Sequence, residues 1–240
     1  NSLLGIPIRT LGNLLIGFLI FGVVLVNTGG GDFFFNLARS LLGRQRGGTA
    51  KVSVVGSAFF GMLSGSAVSN VVTTGSMTIP SMKRTGYANH YAGAVEATAS
   101  TGGTVTPPIM GSAAFIMASF LAIPYSEIVL AAAIPAFLYF LGVLIQVDSY
   151  AANKKLVGEL KENLPSTWKT LKEGWFFVIA TLLLVFLIFF VKNEAQAPYY
   201  VSLFLILASF LRKETRLNVK KTLNMIGDGG KLMTEITTIL

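Results

Sequence analysis

The chain has no cysteine, one histidine and two tryptophans among its 240 residues. Without cysteine it forms neither a disulfide nor a thiolate metal site. Charge is scarce as well. Asp, Glu, Lys and Arg make up 12% of the chain, against about 25% in soluble domains. With 52% hydrophobic residues and a mean hydropathy of +0.66, the composition excludes an ordinary soluble domain and points to an integral membrane protein. The formal charge of +8 raises nucleic acid as a partner. The basic residues lie between apolar runs rather than on one domain face, however, which is the pattern of the positive-inside rule. No nucleic-acid partner is expected. No signal-peptide pattern is visible, and the chain begins with Asn1.

What is abundant is glycine, 25 residues in all, a composition that favours close helix packing in lipid. The stretch from Lys51 to Pro108 organises the rest. Two apolar arms, Val52–Leu63 and Val71–Met82, are flanked by Lys51 at one open end and by Lys83 and Arg84 at the other. Each arm is about a dozen residues, whereas a crossing takes roughly 20. The arms therefore predict a re-entrant hairpin that enters and leaves on one face, with its Ser64–Asn70 turn near mid-membrane. Peptide groups there need protein, water or an ion as partners. A helix over Tyr87–Ala99 then meets Ser100-Thr101-Gly102-Gly103 and Thr106-Pro107-Pro108, where glycines loosen the backbone and prolines remove donors. Helix can resume from Pro108. This predicts a discontinuous transmembrane helix, which beside a re-entrant turn is a common arrangement for the ion and substrate site of secondary transporters.

The segments GMLSGSAVSNVVTTGSMTIPSMKRTGY, AGAVEATASTGG and PPIMGSAAFIMA resemble the large membrane subunit of the tripartite ATP-independent periplasmic (TRAP) transporters. The following IPYSEIVLAAAIPAFLYFLGVLIQVD looks most like the fused-permease branch that pairs with TAXI-type binding proteins. The strong match runs from about Gly29 to Asp148. The resemblance implies sodium-driven uptake of organic acids by an elevator movement. It implies as partners an extracytoplasmic substrate-binding protein, a small four-helix membrane subunit or its fused equivalent, and a small organic anion. It also places the chain in a prokaryotic inner membrane, with several passes. The fold class is accordingly an all-α polytopic membrane protein, half of an inverted-repeat transporter. A single glycine-rich hairpin predicts a fragment covering the first repeat.

On this reading residues 1–50 hold N-terminal transmembrane or interfacial helices, beginning with Leu11–Val26 and followed by Phe33–Leu42, which either crosses or lies at the interface. Residues 51–86 are the hairpin, and 87–148 the broken helix and its return helix. Residues 149–173 are an amphipathic cytoplasmic arm or a plain linker, in which Leu156, Val157, Leu160 and Leu164 form one stripe of a surface helix. Residues 174–221 are a transmembrane pair, Gly174–Val191 and Ala197–Leu211, and 222–240 open the next segment. Of the 19 basic residues only Lys192 falls in a loop placed firmly outside.

The candidate site follows from oxygen chemistry. With sodium as the ion the resemblance implies, and hard cations preferring oxygen ligands, Ser64, Gly65, Asn70, Ser100, Gly102 and Gly103 are the candidate Na⁺ ligands. Ser66, Asn70, Thr101, Thr104 and Thr106 are the candidate contacts to a carboxylate substrate, favoured by the partial positive charge of broken-helix amino termini. The competing reading is capping: Ser and Asn commonly begin helices, and threonine hydroxyls repair a proline kink. Glu96 is the only acidic residue within the core motif, and at bilayer depth it needs a partner or a role. Proton coupling, organisation of the site and a structural bond to a neighbouring helix all stay open. His90, near the inner end of the broken helix, reads as an interfacial polar residue. Two other classes compete. An intramembrane serine protease needs His90 within hydrogen-bond reach of a nucleophile, yet Ser64 lies about half a membrane away and no GxSxG surrounds the tip. An ion channel also uses re-entrant loops and differs in having a continuous pore.

Overall fold

In the computed structural model, residue 5, residues 11–212 and residues 214–239 are described. Among them every regular element is helical. The chain forms two compact units. One gathers the described residues of Asn1–Gly30, Gly111–Ala131 and Trp175–Leu240; the other is Gly31–Met110 with Ala132–Gly174.

In the first unit a π-helical turn, Leu11–Leu15, runs into α1 (Ile16–Asn27). The helices α9 (Ala197–Ser209) and α10 (Val219–Ile239) pack against α1. Gly17 permits the first of these contacts, since a Cβ there would lie 2.9 Å from a ring carbon of Tyr199. Phe18 meets Phe115 of α6 (Ser112–Leu121) and Tyr125, at ring-centroid distances of 4.9 and 5.3 Å. Tyr125 opens α7 (Tyr125–Asn153). Its first amides are satisfied by Glu194, whose carboxylate accepts the backbone N–H of Tyr125 and of Ser126 at 2.8 Å each. An anion belongs at a helix amino terminus, where N–H groups lack intrahelical partners.

The second unit holds α2 (Gly30–Leu42), then the hairpin α3 (Gly48–Ser64) and α4 (Ala67–Arg84), then α5 (Asn89–Gly103). Helices α3, α4 and α5 all touch one another. Their shared core is built from small and medium residues, including Ala50, Val54, Met82, Ala92, Val95 and Ala99, joined by Val147 and Ala151 of α7. Asp148 pairs with Arg46 and, at 2.7 Å, with Lys51, so one carboxylate binds both basic residues at the open end of α3. Tyr91 and Tyr150 stack at 3.6 Å between centroids.

Several expectations change here. The hairpin turn is Gly65–Ser66 rather than Ser64–Asn70, because Ser66 accepts the backbone N–H of Ser69 and starts α4 at Ala67. The arms are accordingly 17 and 18 residues long, about 26 and 27 Å at 1.5 Å per residue. The helix break also moves. α5 continues through Gly102 and Gly103, tightens as Thr104, Val105 and Thr106 bond back three residues, and stops where the cis Pro107-Pro108 pair withdraws the next donors. Helix resumes at Ser112, not at Pro108. The glycines do not break this helix; they let other groups approach it.

Of the two readings of residues 149–173, an amphipathic arm or a plain linker, the continuous surface helix does not form. α7 ends at Asn153 and Lys155 takes a left-handed φ of 54°. Residues 156–160 then run alongside the Gly43–Gly47 loop, with Glu159 N–H donating to the Gly43 carbonyl at 2.9 Å. Gly158 sits so close that a Cβ would lie 2.5 Å from the Gln45 carbonyl oxygen. Here the backbone of 156–160 spends its hydrogen bonds on that loop, Leu156 accepting from Gly47 and Glu159 donating to Gly43, instead of on a helix of its own. A 3₁₀ turn, Lys161–Asn163, leads past Pro165 to α8 (Thr167–Phe189), which kinks at Gly174. Leu156 packs on the core, whereas Val157 and Leu160 are exposed. Among the described residues, two segments are long and apolar enough to cross a membrane, Tyr125–Asn153 and Lys161–Phe189, with a third if Gly12–Asn27 and Gly30–Leu42 make one span. The Ala197–Leu211 segment, expected to cross, is helical only over the 13 residues of α9.

Candidate functional site

The hairpin and α5 meet at glycine. A Cβ on Gly61 would lie 2.6 Å from the Cα of Gly103, and one on Gly103 would lie 2.7 Å from the Cα of Gly61. Side chains of any size would hold these backbones apart, so the two glycines set the distance between α3 and α5. Asn70 fills the space beside the crossing. It is fully buried and its Nδ2 donates to the Ser57 carbonyl at 2.7 Å, bracing α4 against α3.

Directly behind the crossing lies Glu96, with no exposed surface. Five hydroxyls from three helices converge on its carboxylate. Ser53 and Ser57 of α3 donate at 2.6 and 2.7 Å. From α4, Thr78 donates at 2.5 Å, and Thr74 makes a shorter contact still. Ser100, one turn on along α5, reaches Oε1 at 3.3 Å. Thr74 is also 3.1 Å from Asn70 Oδ1. The carboxylate, the hydroxyls and the Asn70 amide thus form one hydrogen-bonded network. A carboxylate at bilayer depth costs about 2.5–3.5 kcal/mol on insertion scales, and hydroxyl donors offset that cost by acting as charge-assisted hydrogen bonds. Of the roles open to Glu96, a bond to neighbouring helices is what the structure displays, and it reaches two of them at once.

The sequence-derived candidates divide into three groups. Asn70, Ser100 and Gly103 come together at the crossing. Ser64, Gly65 and Ser66 lie at the hairpin tip, one turn beyond Gly61, where Gly65 adopts a left-handed φ of 63° as the cap of α3 and its N–H bonds the Gly61 carbonyl at 2.8 Å. Ser66 caps α4. Thr101 is exposed and Thr104 half-buried, and their hydroxyls turn back to the carbonyls of Ala97 and Thr101. Thr106 does the same to Gly102. Gly102 packs under Tyr139, whose ring would be 2.3 Å from a Cβ. His90 is exposed at the start of α5.

Ser53, Ser57, Thr74 and Thr78 belong to no motif, yet a signal for them exists. Ser53 and Ser57, Asn70 and Thr74, Thr74 and Thr78, Glu96 and Ser100 are all spaced i, i+4, which places each pair on one helix face. Polar residues at this spacing within otherwise apolar arms mark a face that must find polar company.

Among the described residues no three His, Cys, Asp or Glu side chains gather as a metal cluster. The donors at the crossing and the tip are hydroxyl, amide and carbonyl oxygens, a set suited to a hard cation rather than a transition metal. Residues 2–240 of the sequence match the family model of the tripartite ATP-independent periplasmic transporter, DctM component. The chain belongs to the DctM family of TRAP transporters. Its relatives include the sialic acid TRAP transporter permease protein SiaT of Haemophilus influenzae, 32% identical over 67% of this chain and 24% of that protein. The C4-dicarboxylate TRAP transporter large permease protein DctM of Vibrio cholerae is 29% identical over 84% of this chain and 45% of that protein. The isethionate TRAP transporter permease protein DctMQ of Oleidesulfovibrio alaskensis is 36% identical over 39% of this chain and 15% of that protein. The chain therefore spans less than half the length of these relatives. Family membership and the apolar helices make this DctM-family chain a helical membrane protein, in a family of transporter permeases rather than enzymes.

Proposed function

We propose that the chain is part of the permease of a TRAP-type secondary transporter, which couples Na⁺ entry to uptake of a small organic anion. The observation that carries this reading is the crossing itself. A helical hairpin and a helix that ends at a proline pair bring buried amide and hydroxyl oxygens to one place, inside a chain of this family. In the membrane the hairpin would be re-entrant, with its Gly65–Ser66 tip and the 104–111 break offering oxygens at one depth. Na⁺ would be held by Ser64, Gly65, Asn70, Ser100, Gly102 and Gly103. Ser66, Asn70, Thr101, Thr104 and Thr106 would face the carboxylate. The cation supplies a positive charge that makes an anion welcome in a site of low dielectric.

Names of relatives support the substrate class, since sialic acid, C4-dicarboxylates and isethionate are all anions. The partners of this reading are an extracytoplasmic binding protein, of TAXI type, and a small membrane subunit or its fused equivalent. Alternating access would be of the elevator kind, in the inner membrane. The test is uptake of radiolabelled carboxylates by the intact transporter with its binding protein in proteoliposomes, under an inward Na⁺ gradient. Asn70→Ala is expected to weaken the Na⁺ dependence at least tenfold. Uptake indifferent to Na⁺, or an Asn70→Ala protein with unchanged Na⁺ dependence, sinks the coupling scheme.

A further inference from the structure

We propose that Glu96 is a positioning residue for sodium, supplying a fixed negative charge that draws the cation to Asn70 and Ser100 without ligating it; this rests on the sodium reading above. Five hydroxyls form a cage around the Glu96 carboxylate. If its purpose were only to join three helices, a glutamine would fill the same volume and share hydrogen bonds with the same hydroxyls. What glutamate adds is net charge, and a buried charge is retained against a cost. Among the described residues no cation pairs with it. The charged neighbours on the three helices are engaged or lie toward the opposite ends. Lys51 of α3 is bound to Asp148, Lys83 and Arg84 are exposed at the end of α4, and His90 is exposed at the start of α5.

Among the described residues every polar contact of Glu96 is a hydroxyl whose oxygen lies within 3.3 Å of the carboxylate. The charge is thus accommodated but not neutralised. Its field emerges where the cage meets the crossing, through Ser100 on one side and through Thr74 and Asn70 on the other. Those are the two buried side chains of the proposed ligand set. The other proposed ligands are neutral carbonyls and a serine, so without Glu96 the sodium site carries no negative charge of its own. A cation two bonds removed from the carboxylate, on the order of 6 Å away, would bind roughly a hundredfold more tightly at an effective dielectric of about 20, before screening.

The experiment compares the intact transporter with its Glu96→Gln and Glu96→Asp variants. Intrinsic tryptophan fluorescence follows thermal unfolding in detergent, titrated with NaCl against choline chloride at constant ionic strength, and uptake is measured in parallel. Glu96→Gln is expected to unfold near wild type in choline yet to need at least tenfold more Na⁺ for half of the sodium-induced rise in melting temperature. Its half-saturating Na⁺ for uptake should rise by the same factor, with maximal rate less affected. Glu96→Asp keeps the charge while spoiling the cage, so its melting temperature should fall but its Na⁺ midpoint stay within about threefold of wild type. An unchanged midpoint in Glu96→Gln overturns the proposal. So does a Glu96→Asp midpoint displaced tenfold or more from wild type, which would make the cage purely structural, and this outcome is read without Glu96→Gln should that variant fail to fold. A wild-type protein with no sodium-induced rise and no sodium-stimulated uptake removes the coupling reading itself, and this inference with it.

Discussion

Replacing Gly61 with alanine adds one methyl group where α3 crosses α5. That methyl would stand 2.6 Å from the Cα of Gly103 and 2.8 Å from Asn70 Nδ2. Carbon atoms settle at about 3.5–4.0 Å, so the helices must part by roughly 1 Å. Because the opposing atom is backbone, no rotamer change relieves the contact, and the cost falls toward the upper half of the 1–3 kcal/mol usual for overpacking. Alanine in a helix interior gains about 1 kcal/mol over glycine. The net expectation is a loss of about 1–2 kcal/mol. At about 2–4 °C per kcal/mol for a chain of this size, the melting temperature drops by about 2–8 °C.

Gly93→Ala supplies the contrast. It lies in the same α5, and nothing stands within 4 Å of the Cβ it would gain. It receives the propensity gain without the clash and should melt about 2–4 °C above wild type. Thermal unfolding of both proteins in one detergent, without sodium, reads the two effects with opposite sign. If Gly61→Ala melts at or above wild type while Gly93→Ala behaves as expected, α3 and α5 are not in backbone contact. The glycine account of the crossing is then wrong.

Three further outcomes follow from the hydrogen bonds. Thr78→Val removes a hydroxyl held 2.5 Å from Glu96 and should cost about 1–3 kcal/mol, as for a lost hydrogen bond to a buried charge. Thr101→Val, whose exposed hydroxyl bonds only its own helix, should stay within about 0.5 kcal/mol of wild type by the same unfolding measurement. Glu194→Ala strips α7 of the carboxylate that accepts its Tyr125 and Ser126 amides. It should lose about 1–2 kcal/mol, the scale of a removed amino-terminal cap, and faster hydrogen exchange at those two amides would locate the loss; unchanged exchange there would show that Glu194 does not hold that end.

The hairpin, the break after it and the apolar return helix were legible because each announces itself locally. Basic residues bracket the arms, glycine and serine make the tip, and a proline pair ends α5. The positions of the ends were less so. Ser64–Asn70 contains five residues that read as turn formers or small polar groups, but a serine that caps a helix and a serine in a loop are the same letter. Only the Ser66–Ser69 bond separates them. Gly102 and Gly103 misled for a related reason: glycine loosens a helix, but it also lets another backbone come close, and here Gly61 and Tyr139 occupy the space a side chain would need. The arm after α7 has a helical stripe in Leu156, Val157, Leu160 and Leu164, yet Gly158 lies against the Arg44–Gln45 backbone. A local period does not register a neighbour that arrives from a hundred residues away.

Glu96 is the instructive case, since it was conspicuous in the sequence and its partners were not. A carboxylate within an apolar helix demands company, but the demand can be met by a cation, by water or by hydroxyls, and only the first advertises itself as charge. The hydroxyl solution spreads its partners over α3 and α4 as single serines and threonines, none unusual alone. Spacing links them: three helices each carry polar residues four apart, and only a common polar centre gives all three faces a reason to turn inward. The same geometry explains why the cage and the glycine crossing lie together. Hydroxyls reach the carboxylate at 2.5–2.7 Å only if the helices approach closely, and Gly61 against Gly103 is what permits that approach. A substitution that widens the crossing should therefore lengthen the hydrogen bonds behind it, so the effects of Gly61→Ala and Thr78→Val should not add.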